Sequence, residues 1–278
     1  MELVRLVTTK RSRWSDILHV VLNIGYAFLL FVLVSPGVDL PLIALLLVVL
    51  SKWRVIAVRP RFWFANLQAN SVDFMVGVST WALMVLTAPH SGWVAAMLAL
   101  LYAGWLVAIK PHSTQRWVLL QAALGQFMAL TAMFSFAHLF EYGQILRDSS
   151  LLTVILAWAI GYMSTRHALS AFHGEDERTF LSLGWGMVIA ELAWLLHHWT
   201  IAHPLYTVEG VPDGKLLMLP QAAIVITLLS FAAIKVYETL HRPDDKRAAK
   251  DTRWALIFVF SALLILFLYN IRADLTAL

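Results

Sequence analysis

An all-α fold, a polytopic transmembrane bundle of about nine spans, is what the sequence predicts. Three observations predict it. Hydrophobic residues fill 60% of the 278 positions, charged residues only 14%, and the basic residues fall unevenly between alternate connections. A soluble globular chain runs at about 45–50% apolar and about 25% charged. With a mean hydropathy of +0.73, this chain has too few ionic side chains to cover its apolar surface. A soluble enzyme, a disordered hub and a fibrous protein are excluded together.

A membrane span takes about 20 mostly apolar residues. That length selects 17–34, 39–58, 71–88, 92–109, 117–140, 150–165, 181–201, 216–236 and 254–271. The first follows a basic stretch, but it exceeds the signal-peptide core of about 7–15 residues. Ser35-Pro36-Gly37 after it offers no small-x-small cleavage pattern, so an uncleaved span is expected. Lys52 and Arg54 interrupt the second near its end, where long basic side chains snorkel to the headgroups. The sixth is short and continues toward Phe172, with Arg166 and His167 at the interface. Pro220-Gln221 opens the eighth, where proline suits a first turn. The ninth is apolar on all faces except Ser261 and is expected to face lipid.

Orientation follows from charge. With the N-terminus inside, all of the 21 Lys and Arg except Arg147, Lys215 and Arg272 fall on the inner side. This is the positive-inside skew, which a miscounted span would scramble. It predicts N-in and C-out, with 1–278 as one integral membrane domain. Within it, 1–16 is a cytoplasmic segment, 17–271 holds the nine spans, and 237–253 is a cytoplasmic loop extending the helix to Pro243. Localisation in a cell (inner or plasma) membrane, multi-pass, is expected. Arg13-Trp14, Lys52-Trp53-Arg54, Arg116-Trp117 and Arg253-Trp254 all fall at inner boundaries and read as interfacial anchors. Orientation and anionic lipid account for the net charge of +4, so no nucleic-acid partner is expected. The outer loop 202–215 reads as turns, with His203-Pro204, Glu209-Gly210 and Pro212-Asp213-Gly214.

The chain has no cysteine, which removes thiolate metal sites, iron–sulfur clusters and thiol nucleophiles. A Gly-rich phosphate loop, HExxH and GxSxG are also missing, so no catalytic residue is assigned and no cofactor is expected.

The informative polar residues lie inside the spans. Glu191 is ten positions into 181–201, about 15 Å from the inner edge. A charged side chain at that depth costs about 2.5–3.5 kcal/mol on insertion scales, so it must face protein or water. Gly184, Glu191 and His198 align at seven-residue spacing, and Gly184 and Gly186 would admit a close neighbouring helix. The structural alternative is a carboxyl bonded to that neighbour. In the fifth span Gln121, Thr131, Ser135 and His138 share an arc, and Gly125 with Ala129 form a small-xxx-small contact. In the third, Asp73, Gly77 and Thr80 share a face. Together these suggest a route from Asp73 inside, through Thr80 and Glu191, to His198 and His138 outside. Ser, Thr and Gln in spans also serve as helix–helix glue.

His138 and Glu141, at i,i+3, with His198 and His203, supply donors of the kind that hold zinc. Adjacent histidines on a helix point about 100° apart, which keeps His197 and His198 from sharing one ion. Three functional readings follow. The favoured one is a small transporter or channel-like protein for a proton, an ion or a small polar solute. The second is a membrane-embedded metal- or haem-dependent enzyme acting on a lipid or quinone. The third is a non-catalytic membrane subunit of an envelope complex.

Overall fold

The structure, a computed structural model, describes residues 13–51, 70–108, 114–139, 146, 148–172, 175–198, 201–207, 215–241 and 245–277. Among these, nine helices and one two-stranded hairpin account for the regular structure. Each segment expected to be a span contains one helix. They are α1 (Arg13–Val34), α2 (Pro41–Leu50), α3 (Ser71–Thr87), α4 (Gly92–Ala108), α5 (Gln115–Leu139), α6 (Ser150–Leu169), α7 (Glu175–Leu195), α8 (Gln221–His241) and α9 (Lys246–Ala277). Four are long and apolar enough to cross a membrane, over Ile17–Val34, Gln115–Ala137, Gln221–His241 and Lys246–Tyr269.

Three boundaries depart from the sequence reading. Helix α7 begins and ends six residues earlier than the expected span, because its polar start, Glu175-Asp176-Glu177-Arg178, is helical. Beyond Leu195 the chain enters a turn through His198. The outer loop is not only turns: β1 (Ala202–Thr207) pairs with β2 (Lys215–Pro220). Each strand is six residues long and carries a proline, and proline argues against a strand when only sequence is seen. Helix α8 therefore starts after Pro220 rather than at Leu216. At the other end α8 continues to His241, and the Asp245 carboxylate accepts the backbone N–H groups of Arg247 (2.9 Å) and Ala248 (3.3 Å) to open α9.

The chain divides into two compact units. The first comprises Met1–Thr114 with Tyr206–Leu217. In it α3 is the buried centre, flanked by α2 and α4, with α1 packed on α4. The α1–α2 turn closes through Asp39, whose φ of 52° puts it in the left-handed region. The Trp81 indole donates to the Pro41 carbonyl (2.8 Å), and the Tyr26 hydroxyl to that of Leu47 (3.2 Å). Gly77 admits Tyr102: a Cβ there would sit 2.8 Å from the phenol oxygen.

The second unit comprises Gln115–Leu205 with Met218–Leu278. Its core gathers Leu130, Met133 and Phe134 of α5, Ala157 of α6, Ile189 and Ala193 of α7, and Ala222, Ala223 and Ile226 of α8. Ala157 of α6 and Ala222 and Ala223 of α8 let those two helices pack close to α5. The tightest approach joins α6 to α7. A Cβ on Gly161 would lie 2.8 Å from Ile189 Cδ1, and one on Gly186 3.1 Å from the Trp158 carbonyl oxygen. Helix α9 packs on α8 and exposes most of its apolar surface.

Candidate functional site: a polar row inside the second unit

Helix α5 carries a hydrogen-bonding side chain about every five residues along its packed sides: Gln115, Gln121, Gln126, Thr131 and Ser135. The last four are buried. Twenty residues separate Gln115 from Ser135, about 30 Å at the helical rise, which is the thickness of a bilayer's hydrocarbon core. Polar groups buried this way must find partners, since an unpaired one costs about 1–3 kcal/mol.

Those partners come from α6 and α8. At the polar end, Gln115 Nε2 donates to Glu238 Oε1 (2.9 Å), and Lys235 Nζ donates to the other carboxylate oxygen (2.9 Å). One step inward, Gln126 bridges two helices. Its Nε2 donates to Ser230 Oγ of α8 (2.8 Å), and its Oε1 accepts from Ser164 Oγ of α6 (2.9 Å). Between these levels lies a void of about 10 Å³, lined by Gln126, Ser164, Thr227, Ser230 and Lys235 among others. That is room for about one water. Thr227 Oγ1 has no hydrogen-bond partner among the described residues; farther along α5 the same holds for Thr131 Oγ1.

A side branch joins α5 to the end of α6, where Gln121 Oε1 and His167 Nε2 lie 3.0 Å apart. His167 lies in the last turn of α6. Its neighbour Arg166 is buried, bonded to Thr179 Oγ1 of α7 with its guanidinium 5.9 Å from the Tyr162 ring centroid.

The residues singled out from sequence are placed as follows. Gln121, Thr131 and Ser135 stand in the row. Glu191 does not: it is exposed on α7, four residues from the helix end, and lines an open groove of about 570 Å³. Glu191 lies about 6 Å along the axis from the last residue of α7, and the groove it lines runs from Ser150, the first residue of α6, to Trp158. His198 is exposed beside buried His197, their rings 4.8 Å apart. Gly184, with nothing within 4 Å of a Cβ, faces outward, and Gly186 makes the close helix approach.

In the first unit, Thr80 is buried, its hydroxyl donating to the Val76 carbonyl (2.8 Å). There Asp73 Oδ1 accepts from the Trp105 indole (3.3 Å). The side chains of His138 and His203, and Glu141, lie outside the described residues, so of the metal-ligand candidates only His198 is described. Among the described residues no group of three or more His, Asp or Glu is arranged to hold a metal.

Sequence reasoning missed Gln126, Ser164, Ser230 and the Lys235–Glu238 pair. Gln126 lies about 140° around α5 from Gln121, outside the arc used to define a polar stripe. A stripe criterion assumes one packed face, and α5 is packed on several. Comparison with family models, curated proteins and solved structures finds no match to this chain.

Proposed function

We propose that the chain is a multi-pass inner-membrane protein, crossing nine times from an inner N-terminus to an outer C-terminus. Its task in this reading is to move a proton, an ion or a small polar solute along the row in its second unit. One observation carries the reading: hydrogen-bonding side chains recur along α5 for a full hydrocarbon thickness, with a void of one water's size beside Gln126. The positive-inside skew and the four long apolar helices support the membrane assignment. Lys235 and Glu238 form a charged mouth, Gln126 with Ser164 and Ser230 a narrow passage, and Thr131 with Ser135 its continuation. Donors and acceptors alternating through the interior give a hydrated cargo substitutes for the waters it sheds.

The test is flux in reconstituted vesicles under an imposed gradient, read with pH- and cation-sensitive dyes. Gln126→Leu keeps the volume and removes both bridging bonds, so flux is expected to fall about tenfold or more while the helical circular dichroism stays intact. Wild-type flux equal to that of protein-free vesicles for protons, alkali cations and small polar solutes would overturn the proposal. The row would then be helix–helix glue.

A further inference from the structure

The groove at Glu191 is separate from the row and has its own chemistry. It runs between α6 and α7, which are antiparallel: Ser150 and Trp194 share one end of the groove, while Arg166 bonds Thr179 at the other end of the pair. Its lining is graded. Toward the helix ends stand Ser150 and Trp194; Glu191 lies about one turn further in, beside Val154, and beyond it lie Met187 and Trp158. Trp158 is eight residues along α6 from Ser150, about 12 Å deeper. The carboxyl of Glu191 makes no hydrogen bond or ion pair with any described residue, although the walls around it are otherwise almost wholly apolar. A volume of about 570 Å³ falls within the range of about 300–1,000 Å³ typical of small-molecule sites.

We propose that this groove binds a single-chain amphiphile with an ammonium head. The head pairs with Glu191 on the side of the Trp194 indole, and the alkyl chain lies inward along Met187 and Trp158. Charge complementarity selects the head: a lone carboxylate at an apolar surface is matched by a cation, and the Trp194 indole adds cation–π attraction. The depth gradient selects the tail, because only a molecule polar at one end fits a wall polar at one end. Hydration favours a weakly solvated alkylammonium over a small metal ion, which would keep its waters and find one carboxylate.

The inference uses only the α6–α7 pair and is independent of transport through the row, so either can fail alone. The probe is dodecyltrimethylammonium bearing a photoactivatable group in its chain, added to the intact protein in maltoside micelles. Dodecanol with the same group is the neutral control. Labelling is expected on peptides covering 151–158 and 187–194. Glu191→Gln should weaken the cation by about tenfold and leave dodecanol unchanged, and Glu191→Asp should restore part of the loss. Ile155→Trp, which fills the groove and keeps the carboxylate, should weaken both probes. Equal affinity for cation and alcohol in the wild type would overturn the proposal, as would a cation affinity indifferent to Glu191→Gln in a protein of unchanged melting temperature.

Discussion

Individual glycines decide how closely α6 and α7 approach. At Gly161 a Cβ would meet both Cβ and Cδ1 of Ile189, at 2.9 and 2.8 Å. Gly161→Leu is expected to destabilise the second unit by about 1–3 kcal/mol through overpacking, read as a lower melting temperature in detergent. Gly184→Leu, where a Cβ meets nothing within 4 Å, should leave it unchanged. The sequence marked Gly184 and Gly186 as a pair, and only three-dimensional packing separates them.

Helices were the legible layer. Apolar run length alone located all nine, since a segment of that composition must satisfy its backbone internally in lipid. Boundaries were less legible because charge does not end a helix. Glu175 to Arg178 reads as a connection by hydropathy and is the first turn of α7; Lys246 to Arg253 reads as loop and opens α9. Lateral partners were not legible, because Ser164 and Ser230 become a site only when α6 and α8 are laid on either side of Gln126. Thr252 illustrates the point. An ordinary threonine in sequence, it donates to the Lys235 carbonyl (2.8 Å) and lies 2.7 Å from the Thr239 hydroxyl, fastening α9 to α8. Thr252→Val should weaken that attachment by about 0.6 kcal/mol, up to about 1.7. The loss would be measured as faster exchange of amide hydrogens around Thr239 and Thr252.

For the whole molecule, the composition offers a direct way to read which side each connection occupies. The chain contains no cysteine, so single introduced thiols report without background. Under the N-in orientation, Ser91→Cys should react with a membrane-impermeant maleimide added to intact cells. Ala249→Cys should react only after the membrane is opened. The reverse pattern would overturn the assigned orientation. Charge asymmetry carried this level of the reading, and it depends on summed connections rather than on any one residue.

Helix α9 has one further consequence at this scale. Its 32 residues extend about 48 Å, more than the thickness of a hydrocarbon layer of about 30 Å, and most of its described apolar side chains are exposed. In the membrane setting proposed above, such a rod would lean, and lean further as the bilayer thins. Thr252 is the fixed point of that lean, and the carbonyl it grips belongs to Lys235, at the charged mouth beside Gln126. A change in membrane thickness would then be felt first at Thr252, with α9 as the lever and that threonine as its fulcrum.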